Sequence, residues 1–352
     1  MIKRMLLVLL LLMLPLGARA ELPLVYPAET VLSVVPLTET QQRLVAHLYA
    51  PILDGERKIE LPEGTRYDDV GPAMQSLMMD YPELFHLHRS YTVTYWQNAP
   101  ETAIAVNPQY RMDAGEAVKV RQQLYEAAQQ LIQADRTAVG LHDALVARVT
   151  YGGDTELRHT AAAALLQGQA TCEGYAQALT LLYRMAGIPC GLVSGSGTES
   201  ATGQQVSHAW NIAYLGGYTF IDATWDDQER AGLNTRWYFG LSSRQLAADH
   251  QPDAALNVPP CGEQANWHLR CDRYADETED VYRALRNLVV YGEPVNLRVT
   301  DAALYAAVSA DPGSVLEGYN TWCAPGEAFY GSYSYLSCDA QGCFILDRVA
   351  GE

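Results

Sequence analysis

The chain has 352 residues, of which 49% are hydrophobic and 18% are charged. This composition excludes a disordered or low-complexity protein, and the length allows roughly two domains with cores of their own. The formal net charge of −17 at pH 7 makes nucleic acid and anionic lipid poor partners, because both carry negative charge themselves.

The first twenty residues have the pattern of a secretory signal peptide. Lys3 and Arg4 form a positively charged start, and residues 5–16 form an almost unbroken apolar run. Ala18-Arg19-Ala20 has the small-x-small form of a cleavage site. The run is too short for a spanning helix, which needs ~20 residues. We therefore expect an exported protein (secreted, at the cell surface or periplasmic) with no integral membrane segment after cleavage.

Residues 21–135 are predicted to form a mainly helical N-terminal region that contains a β-hairpin. Apolar stripes at helical spacing predict helices over 38–54 and 68–81, and a third helix that begins after Asp113. The alternating segments on either side of Gln97-Asn98-Ala99-Pro100 predict the hairpin.

Residues 136–260 are predicted to form the core of the protein. Predicted helices cover 137–150, 158–167 and 172–186, and predicted strands cover 190–195, 206–214, 218–225 and 236–240. Helices followed by antiparallel strands indicate an α+β fold, because an α/β fold alternates strands and helices along the chain.

The last ninety or so residues divide into two predicted parts. Residues 261–310 form an extension with a helix over 276–291 and a strand over 295–299. Residues 311–352 form a tail that is rich in Tyr, Gly and Cys and has no helical period.

The sequence contains seven cysteines, namely Cys172, Cys190, Cys261, Cys271, Cys323, Cys338 and Cys343. Disulfides persist outside the cytoplasm, and an odd count leaves at least one thiol free or paired between chains. We expect Cys190 to be a reduced core residue, Cys261–Cys271 to be a candidate disulfide, and the tail cysteines to pair among themselves. The cysteine spacings are not typical of a zinc site, and His86 and His88 are interpreted as surface histidines. The sequence predicts neither a metal nor a cofactor.

Cys172 is the candidate nucleophile, because it follows Thr171 at the predicted start of a helix. The positive end of the helix dipole and the free backbone N–H groups there favour a thiolate over a thiol. The same N–H groups could hold the oxyanion of a tetrahedral intermediate, and Gln167 or Gln169 could add a donor. A lone cysteine at such a place is more often a small buried hydrophobe, so the chemistry depends on its partners.

His208 and Asp222 are the candidate partners. His208 lies in a strand-like run, and Asp222 places a carboxylate in an otherwise apolar run, where an unpaired charge is costly. An imidazole N–H is a suitable donor to such a carboxylate. The two runs meet at Gly216-Gly217, so the two residues could lie side by side on adjacent antiparallel strands.

The spacing of these two residues constrains the hairpin between them. A plain two-residue loop at Gly216-Gly217 would place His208 opposite Trp225, three residues from Asp222. An odd separation puts the two side chains on opposite faces of the sheet. We therefore predict a loop of three or five residues, or a β-bulge, with the two side chains in hydrogen-bonding reach.

Four segments resemble the core motifs of the transglutaminase-like superfamily in order and in approximate spacing. They are Cys172-Glu173-Gly174-Tyr175-Ala176, Gly187-Ile188-Pro189-Cys190, His208-Ala209-Trp210-Asn211 and Asp222-Ala223-Thr224-Trp225-Asp226. The likeness is strongest to an exported bacterial branch with a papain-like Cys-His-Asp triad. Further segments, such as Tyr81-Pro82-Glu83-Leu84-Phe85 and Asp249-His250, extend it over residues 38 to about 300 but not into the tail.

The resemblance implies a papain- or transglutaminase-like core in which the nucleophile helix packs on an antiparallel sheet. It also implies that Cys172 attacks a carbonyl, that His208 takes and returns the proton, and that Asp222 orients His208. A thioester acyl-enzyme would then pass to an amine or to water. Trp210 and Tyr175 are candidate substrate-binding residues, since Trp210 follows His208 by two positions on the same face.

Two classes of function remain open at this point. One is a cysteine-dependent acyl-transfer enzyme that acts on amide bonds, either a peptidase or amidase or a protein-glutamine amine transferase. The other is a non-catalytic binding or scaffolding protein that retains the fold. The complete Cys-His-Asp set favours the enzyme, and the expected substrate is a protein or a peptide, such as a cell-wall peptide. The choice between water and an amine is not in the sequence.

Overall fold

The structure is a computed structural model that describes residues 24–199, 202–228 and 233–349. The predicted signal peptide lies outside the described residues. Among the residues described, no helix combines the length and the apolar character needed to cross a membrane.

The described residues form helices and strands in the following chain order. The helices are α1 (Glu39–Leu53), α2 (Tyr67–Asp80), α3 (Ala114–Ala134), α4 (Ala138–Val146), α5 (Cys172–Met185), α6 (Ala223–Asp226), α7 (Ser243–Leu246), α8 (Trp267–Arg270), α9 (Thr278–Tyr291), α10 (Ala302–Ala310) and α11 (Pro312–Trp322). The strands are β1 (Ile59–Glu60), β2 (Leu87–Trp96), β3 (Ala99–Tyr110), β4 (Thr150–Tyr151), β5 (Gln169–Ala170), β6 (Cys190–Thr198), β7 (Gln205–Tyr214), β8 (Tyr218–Ile221), β9 (Asp227–Gln228), β10 (Leu233–Asn234), β11 (Phe239–Leu241), β12 (His250–Pro252), β13 (Tyr274–Ala275), β14 (Val295–Val299), β15 (Tyr333–Cys338) and β16 (Cys343–Arg348).

Helix α5 packs on a five-stranded antiparallel sheet with the strand order β11-β8-β7-β6-β12. Every residue of α5 from Gly174 to Arg184 is buried, because the sheet covers one side and helices α3 and α4 cover the other. A helix that is buried all round forms the centre of a core and is not a surface element. This arrangement confirms the predicted α+β fold with a nucleophile helix packed on an antiparallel sheet.

The N-terminal region is tied to α5 by buried polar contacts. Gln177 Nε2 donates to the Met78 carbonyl at 2.9 Å, and the Arg184 guanidinium donates to the carbonyls of Asp80 and Cys190. Next to them, the carboxylate of Glu83 accepts hydrogen bonds from two buried tyrosine hydroxyls, those of Tyr26 at 2.9 Å and Tyr49 at 2.6 Å. The middle and the C-terminal end of α5 are therefore tied to the end of α2.

The hairpin between β7 and β8 has the predicted odd-numbered loop. Tyr214 pairs with Tyr218, and the ladder continues to Asn211 and Ile221, so Leu215, Gly216 and Gly217 form a three-residue loop. Gly216 adopts a φ of 82°, a left-handed conformation that favours glycine. The prediction of a three- or five-residue loop is confirmed.

The C-terminal part differs from its prediction. The predicted helix and strand are present as α9 and β14, but the tail is not free of helix, since α11 spans Pro312–Trp322. Strands β15 and β16 form a hairpin, and β16 pairs with β14 in a four-stranded sheet of order β13-β14-β16-β15. The helical pattern of α11 was missed because Gly313 and Gly318 interrupt its apolar stripe.

The structure does not show the predicted disulfides. All seven cysteines lie in described residues and none of them is bridged to another. Cys261 is buried, with its thiol directed to the Pro259 carbonyl, whereas Cys271 is exposed after α8. Cys190 is fully buried and free, as predicted, and burial raises its pKa to about 11.

Gly174 provides a test of how the first turn of α5 is packed. A Cβ at this position would lie 2.7 Å from the carbonyl oxygen of Arg158 and 2.7 Å from Cβ of Ala170. We expect Gly174→Ala to destabilise the protein by about 1–3 kcal/mol, because neither atom can move without shifting backbone. Thermal unfolding followed by circular dichroism measures the effect.

The matched control is Gly71→Ala in α2. Gly71 is exposed, and a Cβ there would meet no atom within 4 Å. Alanine should leave stability unchanged or raise it by up to about 1 kcal/mol, since it lowers the entropy of the unfolded chain. Equal melting temperatures for the two variants would contradict the packing described for Gly174.

Candidate active site

Cys172 is the first residue of α5 and is partly exposed. Thr171 precedes the helix, but its side chain makes no capping hydrogen bond to the first turn. Its hydroxyl lies 2.8 Å from Nδ1 of His159 instead. The Thr171 side chain therefore leaves the backbone N–H groups of the first turn uncapped.

His208 lies on β7 next to Cys172 and is 5% exposed. Its imidazole lies beside Cys172, whose side chain contributes to the raised pKa of His208, and places Nε2 2.6 Å from Oδ2 of Asp222. The ring is stacked against Trp225, with centroids 5.0 Å apart, and against Trp210, with centroids 5.8 Å apart. The imidazole is therefore hydrogen-bonded to the carboxylate and lies beside the cysteine side chain.

Asp222 follows the end of β8 and does not lie inside a strand, which corrects the predicted strand over 218–225. It is the N-cap of the single helical turn α6, and its Oδ1 accepts the backbone N–H groups of Thr224 at 3.0 Å and Trp225 at 3.3 Å. Aspartate is a favoured N-cap residue because a carboxylate satisfies the free N–H groups of a first turn. The cap leaves Oδ2 directed at His208.

The charges of this pair stabilise each other. Burial by itself lowers the pKa of His208, but the Asp222 carboxylate and the hydrogen bonds to Asp222 and Cys172 outweigh it and raise the pKa to about 10. Burial by itself raises the pKa of Asp222, but His208 and the donors around the carboxylate hold the pKa well below its usual range. His208 is thus an imidazolium and Asp222 a carboxylate at neutral pH.

His250 is a further residue of the cluster that sequence reasoning did not single out. Its Nε2 lies 3.1 Å from the same Oδ2 of Asp222, and its Nδ1 lies 2.6 Å from Oδ1 of Asp249. The other oxygen of Asp249 accepts the Tyr238 hydroxyl at 2.7 Å. The dipeptide Asp249-His250 was noted only as part of the family resemblance, and no local pattern connects it with residues 28 positions away.

Among the described residues, His208, Asp222 and His250 form a group whose nitrogen and oxygen atoms lie close enough together to hold a metal ion. The separations of 2.6 Å and 3.1 Å are those of hydrogen bonds, and the three side chains are buried. The geometry therefore fits a proton-sharing cluster, and we assign no metal to it.

The two predicted substrate-binding residues are both buried. Trp210 and Tyr175 are each 1% exposed, and the Tyr175 hydroxyl lies 2.7 Å from the Val149 carbonyl. The structure gives these side chains packing contacts behind the site, so substrate contact by them gains no support from the geometry. Gln167, a candidate oxyanion donor, instead accepts the Thr155 hydroxyl through its side-chain oxygen at 3.0 Å.

The prediction that His86 lies at the surface needs correction. His86 is fully buried, with Nε2 2.9 Å from the Ile52 carbonyl, and burial lowers its pKa to about 4. It is therefore not a surface histidine, although His88 is exposed. Asp226, at the end of the fourth family-like segment, is also fully buried and accepts the Tyr238 backbone N–H at 2.9 Å.

A small cavity of about 40 Å³ lies beside Glu173 in the first turn of α5. Glu173 forms an ion pair with Arg89, and Arg111 and His159 also line the cavity. Its apolar wall comes from the end of α2 and the start of β2. The cavity is therefore a small, partly charged recess beside the residue that follows Cys172.

Comparison with a family model identifies this region. Residues 119–224 match the model of the transglutaminase-like superfamily, just under a third of the chain. The match spans all three residues of the Cys172, His208 and Asp222 cluster. This chain therefore contains a transglutaminase-like core.

Individual relatives share only part of the chain. The kyphoscoliosis peptidases of Homo sapiens and Mus musculus are each 34% identical over 120 residues, which cover 30% of this chain and 17% of the relative. The chain thus spans about a sixth of the length of those relatives.

Two solved structures show limited similarity. The periplasmic domain of TgpA from Pseudomonas aeruginosa, bound to ethylmercury, has 19% identity and a TM-score of 0.25 over 38% of this chain and 60% of that chain. A candidate cysteine protease from Cytophaga hutchinsonii has 15% identity and a TM-score of 0.26 over 38% of this chain and 61% of that chain. Identities and scores this low carry no conclusion about activity.

The geometry predicts which thiol reacts first. Limited treatment with iodoacetamide at neutral pH should label Cys172 before the exposed Cys271 and the buried Cys190, because the partly exposed Cys172 lies at a helix start beside the His208 imidazole, an arrangement that activates a thiol. Peptide mapping by mass spectrometry measures the order of labelling. His208→Gln should slow labelling of Cys172 and leave that of Cys271 unchanged. Faster labelling of Cys271 or Cys190 in the wild-type protein would contradict the assignment.

Proposed function

We propose that this chain, with its transglutaminase-like core, is a cysteine-dependent acyl-transfer enzyme that acts on amide bonds of a peptide or protein. The observation that carries the proposal is the convergence of Cys172, His208 and Asp222. A partly exposed sulfur at a helix start faces an imidazole whose other nitrogen is 2.6 Å from a buried carboxylate. A nucleophile beside a base, and an orienting group hydrogen-bonded to that base, are the parts that such catalysis requires.

In the proposed reaction the Cys172 thiolate attacks the carbonyl carbon of the amide. The resulting oxyanion is held by backbone N–H groups of the first turn of α5. His208 donates its proton to the leaving amine as the C–N bond breaks, which leaves a thioester. An incoming water or amine then gives a proton to His208 and attacks the thioester, and Cys172 leaves as the thiolate. Asp222 keeps the imidazole oriented throughout.

Water is the acceptor that we favour. The partial relatives in human and mouse are named peptidases, which supports hydrolysis, although they match over only 17% of their length. Transfer to an amine uses the same thioester and the same three residues. The two reactions differ only in which acceptor reaches the thioester.

The place of action is part of the proposal. Lys3 and Arg4, the apolar run after them and the Ala18-Arg19-Ala20 site support export from the cytoplasm. Extracytoplasmic proteins and cell-wall peptides are then the substrates within reach.

The products formed from a peptide library show whether water or an amine accepts the acyl group. The mature protein is incubated with the library with and without an added primary amine, and the products are identified by mass. Cleaved peptides in both reactions indicate hydrolysis, and amine-linked products indicate transfer. A wild-type protein that yields neither product from any peptide would contradict the proposed enzyme.

Substitution of the three residues separates the enzyme from a scaffold that merely retains the fold. Cys172→Ala and His208→Ala should each lower kcat by at least about a thousand-fold, and Asp222→Asn should leave more residual activity, because Asp222 acts only through His208. Turnover of the peptides found above provides the measurement. Circular dichroism confirms that each variant is folded. Full activity in Cys172→Ala would favour a role without turnover at this site.

A further inference from the structure

The Asp222 carboxylate is shared between two histidines. His208 and His250 both approach Oδ2, at 2.6 Å and 3.1 Å, while Oδ1 is occupied by two backbone N–H groups. The carboxylate therefore has four donors and no freedom to rotate. A Cys-His-Asp triad alone would need only the first of these contacts.

The protonation state of His250 follows from the groups that its two ring nitrogens contact. Its Nε2 faces the carboxylate of Asp222, and its Nδ1 faces Oδ1 of Asp249, 2.6 Å away. Ionised carboxylates only accept hydrogen bonds, and a neutral imidazole has a single N–H to donate. Both contacts are satisfied when His250 carries protons on both nitrogens and is a cation. Burial by itself lowers the pKa of His250, but the hydrogen bonds and charges of Asp222 and Asp249 outweigh it and raise the pKa.

The surroundings of His250 hold it in this position. The ring lies between Trp210, Trp225 and Tyr238, with ring centroids 4.9 Å, 4.3 Å and 5.6 Å away. Its charged and titratable neighbours are Asp222, Asp249, His208 and Tyr238. Asp249 is itself fixed by the Tyr238 hydroxyl.

The C-terminal tail closes the outer side of this cluster. Gln341 Nε2 lies 3.5 Å from Oδ1 of Asp249, and Cys338 Sγ lies 3.3 Å from the Tyr238 hydroxyl. Both residues are buried and belong to the end of the β15–β16 hairpin. Water is thereby kept from the Asp249–His250 pair, and exclusion of water strengthens the interaction of their charges.

We propose that His250 is a positioning residue of the active site, held as a cation between Asp249 and Asp222, which fixes the carboxylate that orients His208 and weakens its hold on the His208 proton. The inference rests on the proposed function, in which His208 donates and accepts that proton. A triad with an unshared carboxylate would bind the proton more tightly. The second cation, whose ring centroid is 5.3 Å from that of His208, makes the proton easier to release to the leaving amine.

Two variants test the proposal. His250→Gln retains an N–H donor toward Asp222 but removes the charge, and Asp249→Asn removes the partner that keeps His250 charged. Loss of a nearby cation favours the protonated form of His208, so its pKa should rise by about one unit in both variants. The kcat should fall roughly ten- to a hundred-fold, because His208 is misplaced and holds its proton more tightly, and KM should change little.

The control is His268→Gln. His268 is also a fully buried histidine with a hydrogen bond to a neighbouring side chain, but its partner is Asn296 in the C-terminal sheet. This variant reports the cost of replacing a buried histidine without touching the active site. It should leave both the His208 titration and the alkaline limb of kcat/KM at their wild-type values.

Two readouts keep this proposal separate from the proposed function. Titration of the His208 imidazole by NMR, with histidine signals assigned from the His→Gln variants, needs no substrate. The alkaline limb of the kcat/KM profile should move to higher pH together with that titration. If the pKa of His208 rises in the two variants but the wild-type protein shows no turnover, the positioning role of His250 is supported and the proposed enzyme function is overturned. A His208 titration that stays at the wild-type value in either His250→Gln or Asp249→Asn would overturn the positioning role, even if stability falls.

Discussion

The carboxylate of Asp222 is 1% exposed, and it remains ionised because four donors converge on its two oxygens. Two of the donors come from the helical turn that begins after Asp222, one depends on the register of β7 against β8, and one depends on the position of β12 at the sheet edge. An unpaired buried charge would cost several kcal/mol, so the fold cannot relax one of these elements without penalising the others. The candidate catalytic geometry and the stability of the sheet therefore depend on the same contacts.

Helix α5 applies a second constraint from the opposite side. At its start, the carbonyl of Arg158 fits against Gly174 with no space for a Cβ, and at its end Arg184 donates to carbonyls of Asp80 and Cys190. The helix is thus fixed along its own axis. Because Cys172 is the first residue of this helix, its sulfur is positioned more precisely than it would be on a loop. A nucleophile that must contact an imidazole requires such precise positioning. The N-terminal region contributes to the site through this positioning, without supplying a member of the cluster.

Sequence reasoning named Cys172, His208 and Asp222 because the segments around them together resemble transglutaminase-like motifs in order and spacing, and the parity of strands then predicted an odd-numbered loop or a bulge at Gly216. Sequence reasoning was wrong, or gave no prediction, where a feature depends on contacts between distant residues or where the local pattern is ambiguous. The strand over 218–225 was extended too far because Ala223 to Trp225 continue its apolar character, although Asp222 had the N-cap signal of a new turn. The contact of His250 with Asp222 is a tertiary pairing across 28 residues, and no periodicity encodes it. The glycines of α11 concealed a helix whose stability comes from packing against α9 and β14.

The three-residue loop at Leu215–Gly217 also limits how this protein can change during evolution. Insertion or deletion of one residue between His208 and Asp222 would turn one of the two side chains to the other face of the sheet. Changes of two residues would preserve the face, and a single-residue change would survive only with a compensating bulge. Descendants of this sequence that keep both side chains in contact should therefore differ in the length of this segment by even numbers.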